Sequence, residues 1–253
     1  MVWLADALAR GKEDGLSALD AIKPTVHQND ITVDVAAGIP LAMGIRAAVM
    51  EAFNFPTASM APTMLMGDHI FVAKGAFAKV AGRGDLAAFR APEGRQTYVK
   101  RVVGVGGDRV QIKDGKLSLN GTAIATQLED LSYEYDDLDE ESGKATRRKA
   151  SLWREEIDGH PFFVMHTEGA LDDALDEAVD ITVPAGHVDV LGDNRQNSLD
   201  SRRFGPEPMS EITGRAIVLW WSKGSDGIRW DRIGQFLDAA TTSSQAASRR
   251  ENK

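Results

Sequence analysis

The chain has no cysteine among its 253 residues, so a disulfide, a thiolate nucleophile and a cysteine-ligated metal are all excluded. That absence leaves its compartment open. Positive charge is also scarce: 29 Lys and Arg stand against 38 Asp and Glu, a formal net charge of −9. An extended nucleic-acid surface works by neutralising phosphates, so no nucleic-acid partner is expected on this balance, small local basic patches aside. The third thing lacking is a long apolar run. Residues 31–49, ITVDVAAGIPLAMGIRAAV, are interrupted by Asp34 and Arg46, and only residues 35–45 are free of charge. As a helix those eleven residues rise ~16 Å, about half the ~30 Å hydrocarbon core of a bilayer, and they include Gly38, Pro40 and Gly44. A longer segment with Arg46 snorkelling to the interface would still span or lie in a membrane, and a soluble packing helix is the alternative. The first thirty residues do not read as a signal peptide, because Asp6, Glu13, Asp14 and Asp20 break up any apolar stretch.

What is present is ordinary globular material, with 43% hydrophobic and 26% charged residues, enough for a proper core. From Asn54 onward the sequence falls into short β-rich runs such as HIFVAK, TYVKRVVGV, DRVQIK, PFFVMHT, HVDVLG and RAIVLWW, separated by Gly, Pro and Asp. Strands with turn signals this frequent predict a mainly β fold. The expected organisation is a polar N-terminal segment over 1–30, an apolar anchor-like helix over 31–53, a β-rich catalytic domain over 54–235 and a polar tail over 236–253. A less regular insertion is expected at about 120–184. Its stretch SYEYDDLDEESGKATRRK sets an acidic block before a basic one, which suits a solvated hairpin or loop, or else a cation or partner site.

Four segments carry chemistry. In FPTASMAPTM, Ser59 sits between small residues and a proline-fixed turn, exposed enough to attack a carbonyl, although a serine beside proline usually just forms a turn. In TYVKRVVGVGGD, alternation along a strand puts Lys100 on one face with Tyr98 and Val102. Desolvation among bulky neighbours disfavours the ammonium, and a fall from ~10.4 to about 8 corresponds to roughly 3 kcal/mol. A lysine so tuned takes a proton from serine; the plain alternative is an exposed edge-strand lysine. The third segment, LGDNRQNSLDSRRFGP, packs Asp, Asn, Ser and Arg densely enough to build a charge-paired loop. The fourth, MGDHIFV, is a turn feeding a strand.

Together, in this order over residues 46–221, these segments resemble the bacterial type I signal peptidases, membrane-bound serine proteases with a Ser-Lys dyad. The resemblance implies a signal-peptidase/LexA-like β-rich core with an inserted smaller subdomain and an N-terminal apolar helix. It makes Ser59 the nucleophile and Lys100 its general base. Thr57 falls where a hydroxyl helps the Ser59 backbone N–H form the oxyanion hole, and Ser198 where a hydroxyl bonds and aims the lysine amine. Asp193 and Asp200 would pair with Arg101 and Arg202, and Met60 would lie by the substrate cleft. The implied reaction is removal of signal peptides from exported preproteins after small residues, through an acyl-enzyme and with no metal or organic cofactor. The implied setting is the outer face of the bacterial cytoplasmic membrane, with residues 31–53 meeting lipid. Ala58 departs from the glycine common at its place and is tolerable only where neither positive φ nor close approach is needed. Gln196 stands where an aspartate is frequent, and the anchor is weakened by Asp34 and Pro40.

A Ser-His-Asp triad would use His69 or His187. A penicillin-binding enzyme needs S-x-x-K, and no serine here has lysine three places on. A LexA-like self-cleaving regulator should carry a helix-turn-helix, for which the first thirty residues are too short and too acidic. A catalytically inactive relative acting as a scaffold is the non-enzyme alternative.

Overall fold

The computed structural model describes residues 49–75, 82–92, 94, 96–138, 144–167 and 178–237. All of them fall in the unit 48–253, which is distinct from residues 1–47. The strands are β1 (Met50–Phe55), β2 (Asp68–Ala73), β3 (Leu86–Arg90), β4 (Thr97–Val105), β5 (Arg109–Lys113), β6 (Lys116–Leu119), β7 (Thr122–Ala123) and β8 (Thr126–Leu138). They continue as β9 (Ala145–Ile157), β10 (His160–Thr167), β11 (Val179–Thr182), β12 (His187–Leu191), β13 (Glu207–Pro208), β14 (Ile212–Gly224) and β15 (Gly227–Ile228), with one short helix, α1 (Ser201–Phe204). The fold is mainly β, as the turn-punctuated runs predict.

The central sheet has the order β1-β2-β14-β3-β4-β12-β13, with β15 paired to β14. Two smaller sheets, β10-β9-β8 and β11-β5-β6-β7, are built from chain between β4 and β12. The expected insertion at 120–184 thus divides: β8 to β10 make a sheet of their own, whereas β11 pairs with β5, which precedes residue 120. Tight turns set the hairpin registers. Asp114-Gly115, Asn120-Gly121 and Asp158-Gly159 all have positive φ at both central positions, the conformation whose twist matches that of the flanking strands. The acidic and basic blocks face each other across β8 and β9, where Asp136 meets Arg147 at 2.8 Å and Asp137 meets Arg148 at 3.0 Å. This is the hairpin alternative of the two readings.

One expectation is corrected here. Residues 50–53, placed at the end of an apolar helix, are strand, because Met50–Phe55 hydrogen-bond to Asp68–Ala73 along their whole length. Ladder pairing and burial of Phe55 against Met60, Met64 and Ile70 override the helix preference of Met, Glu and Ala. The rest of that segment, 31–48, and residues 1–30 lie outside the described residues, as does the tail from 238 onward. Among the described residues no helix is long and apolar enough to cross a membrane.

Three features place the site. Among the described residues β1 is an outer strand of the central sheet with no partner on its far edge, and the chain leaving it at Phe55 runs directly into Pro56 to Ser59. β4 is paired with β3 along its length but with β12 only from Arg101 to Val105, so among the described residues Thr97 to Lys100 also have a free side. β12 feeds the loop 192–200 between these two elements.

Candidate active site

A groove of about 730 Å³ opens between β1, β4, the 196–199 loop and the tip of β8–β9, and it contains both Ser59 and Lys100. The Lys100 Nζ lies 2.8 Å from the Ser59 Oγ. Folding has therefore brought together a hydroxyl and an amine forty-one places apart. Strand alternation sends Lys100 to the face that carries Tyr98 and Val102, with its amine 5.6 Å from the centre of the Tyr98 ring. Only 4% of the residue is exposed. Burial pushes the amine down to about 8; Asp200 and Asp193 oppose that effect and Arg202 reinforces it. Desolvation wins because the carboxylates already have arginine partners.

Those partners are the ones named from the sequence. Arg101 grips Asp193 with two parallel hydrogen bonds, Nε to Oδ1 at 2.8 Å and Nη2 to Oδ2 at 2.7 Å. Its Nη1 donates to the Gly84 carbonyl at 2.8 Å, and its guanidinium lies 4.3 Å from the centre of the Phe162 ring. Arg202 holds Asp200 in the same forked way, both bonds at 2.8 Å. Burial raises the Asp200 carboxyl, but the Arg202 hydrogen bonds and charge outweigh it and hold the group below its usual range. Asp200 also accepts from the Gly192 N–H at 2.9 Å and caps α1 through the Arg202 N–H, so one carboxylate fixes both ends of the loop.

The loop in turn fixes the serine. The Ser59 carbonyl accepts from the Asn194 N–H at 3.1 Å, and the Asn194 side chain donates to the Ala58 carbonyl at 3.2 Å. Asn194 is itself tied to β10 through hydrogen bonds of its neighbours to Met165. Thr57 Oγ1 lies 3.2 Å from Ser59 Oγ, within reach of a charge developing beside the serine. Ala58 is buried with negative φ, so its methyl group is accommodated without strain. Gln196 accepts from the Thr167 N–H at 3.1 Å and lies 2.7 Å from His166 Nδ1. Burial pushes that imidazole down to about 4, aided by Arg195 and Arg202, so an amide suits it as a neighbour.

Two expected roles are not met. Ser198 makes no hydrogen bond to the lysine amine, for its buried hydroxyl has no partner. It faces Gly192, where an added Cβ would lie 2.0 Å from the Ser198 oxygen and 2.6 Å from the Ser59 carbonyl. Met60 offers the groove no surface: it is fully buried, packed with Phe55, Met64 and Ile70 under the central sheet. A side chain next to Ser59 in sequence points inward here because the chain turns sharply at that point.

Three contributors were not singled out from the sequence. Thr63, third hydroxyl of the FPTASMAPTM stretch, donates to Asp193 Oδ2. Gly192 gives the close approach just described, and Asn194 clamps the serine backbone. All three stood in the quoted segments, but their partners are supplied by distant chain. His69 and His187 stay apart from the groove; His69 packs edge-on to Trp220, and His187 Nδ1 bonds the Ala185 carbonyl.

A β-rich scaffold with a serine hydroxyl against a buried amine fits the serine protease class of hydrolases. Comparison narrows the class. The family model "Signal peptidase, peptidase S26" matches residues 29–221. Signal peptidase I of Pseudomonas aeruginosa is 32% identical, over 77% of this chain and 74% of that protein. Signal peptidase I of Aquifex aeolicus is 30% identical, over 70% and 78% respectively. A probable thylakoidal processing peptidase of Arabidopsis thaliana is 30% identical over 78% of this chain and 46% of that longer protein. The chain belongs to the S26 signal peptidase family.

Proposed function

We propose that this peptidase removes N-terminal signal peptides from exported preproteins, cleaving after small residues, with Ser59 as nucleophile and Lys100 as general base. The observation that carries the reading is the 2.8 Å contact between the Ser59 hydroxyl and an amine that is almost wholly buried. An extended substrate lies along the free sides of β1 and β4, where backbone hydrogen bonds give affinity and shallow pockets select small side chains. Neutral Lys100 takes the Ser59 proton as the oxygen attacks the scissile carbonyl. The Ser59 N–H and the Thr57 hydroxyl receive the developing oxyanion, an interaction that contributes about 3 kcal/mol per donor in comparable sites. The ammonium then protonates the leaving amine, an acyl-enzyme remains, and the regenerated amine activates water to release it. No step calls on a metal or organic cofactor. The setting is the outer face of the cytoplasmic membrane, with lipid contact through residues 31–53. The family's substrates are tethered there, and an intact dyad speaks against an inactive scaffold protein.

Two results test this reading. The full-length chain in detergent, given a preprotein, releases a product whose new N-terminus follows a small residue, identified by mass spectrometry. Ser59→Ala releases none, and full activity in that variant refutes the assignment. The second is a pH profile. Only the neutral amine accepts a proton, so kcat/KM rises about tenfold per pH unit below the Lys100 value of about 8 and levels off above it. A profile flat from pH 6 to 9, read as initial rates on a peptide without ionising groups near the cleavage site, removes Lys100 as the base.

A further inference from the structure

The groove carries charge unevenly. The stretches 53–58 and 96–99 that line it are uncharged, whereas Lys100, Arg203 and, from the β8–β9 hairpin, Asp137 and Arg148 carry its charge. Among the described residues that line the groove, the Asp137 carboxylate is the only acid, and its oxygens are engaged: Oδ1 accepts from the Leu138 N–H at 2.9 Å, Oδ2 from the Asn197 amide at 2.8 Å. Arg148 Nε lies 3.0 Å from that second oxygen but is not aligned to donate to it, and it has no other hydrogen-bond partner. The Arg148 side chain lines the groove and is 24% exposed, although its Nε is buried. Burial pushes the Asp137 carboxyl up, and the Arg148 charge beside it opposes that shift.

We propose that Arg148 is a specificity-determining residue that receives an acidic side chain of the substrate peptide close to the scissile bond. The inference rests on the reading that the groove holds an extended peptide. A guanidinium presents a planar fork that fits a carboxylate with two parallel bonds, and Arg101 and Arg202 already do this elsewhere in the molecule. The net charge of −9 repels acidic peptides from the molecule as a whole, and Arg148 sets a positive charge in the groove wall, as Arg203 does elsewhere in the lining. Asn197 ties the hairpin to the 196–199 loop by donating its side-chain amide to Asp137.

The test uses the full-length chain and a series of peptides in which Glu or Lys replaces alanine at each position in turn on either side of the cleaved bond. At the position facing Arg148, Glu is favoured over Lys in kcat/KM by about tenfold, the scale of attraction and repulsion at a partly buried charge. Arg148→Gln brings that ratio close to one, Arg148→Glu inverts it, and Arg148→Lys keeps part of it. The same series is measured as binding to the Ser59→Ala protein, where nothing is hydrolysed. Failure of the all-alanine peptide to be cleaved by the wild-type chain counts against the proposed function, while the binding ratio still reads Arg148. A Glu-to-Lys ratio near one at every position, or a preference that survives Arg148→Gln, overturns the proposal.

Discussion

Replacing Lys100 with methionine lowers kcat by about four orders of magnitude while leaving the fold intact. The expected loss is large because serine and base act as a unit, so removing either one removes the acylation step and not just a fraction of it. Methionine keeps the volume and most of the aliphatic stem, and the amine it removes is already disfavoured as an ion by burial. Thermal stability is therefore expected to be unchanged or slightly higher. Arginine at the same position should be equally inactive, for a guanidinium stays protonated and has no lone pair to accept the serine proton. The measurement is single-turnover hydrolysis beside a thermal melt. Retention of more than about a hundredth of the wild-type rate in the methionine variant would show that another group, or water alone, accepts the proton.

The second large effect is on stability. Arg101→Ala leaves the Asp193 carboxylate buried without its forked partner, and removing one member of a buried ion pair costs about 3–5 kcal/mol. For a domain of this size that lowers the melting temperature by about 10 °C. Activity falls as well, since Asp193 belongs to the loop whose Asn194 N–H holds the Ser59 carbonyl. Combining Arg101→Met with Asp193→Leu should recover much of the lost stability, because the cost lies in the unpaired charge and not in the space. Calorimetric melts of the single and double variants give the comparison. A single variant within about 1 kcal/mol of wild type would mean that water reaches Asp193 and the pair is less dry than its 1% exposure implies.

Much of the site was legible because its chemistry is concentrated in contiguous words. Ser59, Lys100, Arg101, Asp193, Asp200 and Arg202 all stand in three short segments, and alternation along a strand separates Lys100 from Arg101 without further help. The strands themselves were readable for a similar reason, since Gly and Asp mark their ends. The orientation of single side chains was not. Met60 looks like a cleft residue until the packing of Phe55, Met64 and Ile70 draws it inside. Ser198 looks like a donor to Lys100 until Gly192 proves to occupy the space in front of its hydroxyl. The 50–53 stretch misleads more deeply, because Met, Glu, Ala and Phe read as the end of an apolar helix and only the pairing partner at 70–73 makes them strand. Partners distant in sequence decide such cases.

An open outer strand beside a nucleophile has a cost in solution behaviour. Among the described residues the outer N–H and C=O groups of β1 have no strand partner, so they are available to a neighbouring copy of the protein as much as to a peptide, and edge-to-edge strand pairing at such borders is how many β proteins clump. Two devices limit it here: Pro56, which cannot donate, follows the strand at once, and the Glu51 carboxylate meets Lys74 across it, placing solvated charge on the border. Catalytic access and colloidal behaviour are thus set by the same six residues, and a change that makes that border stickier trades one against the other.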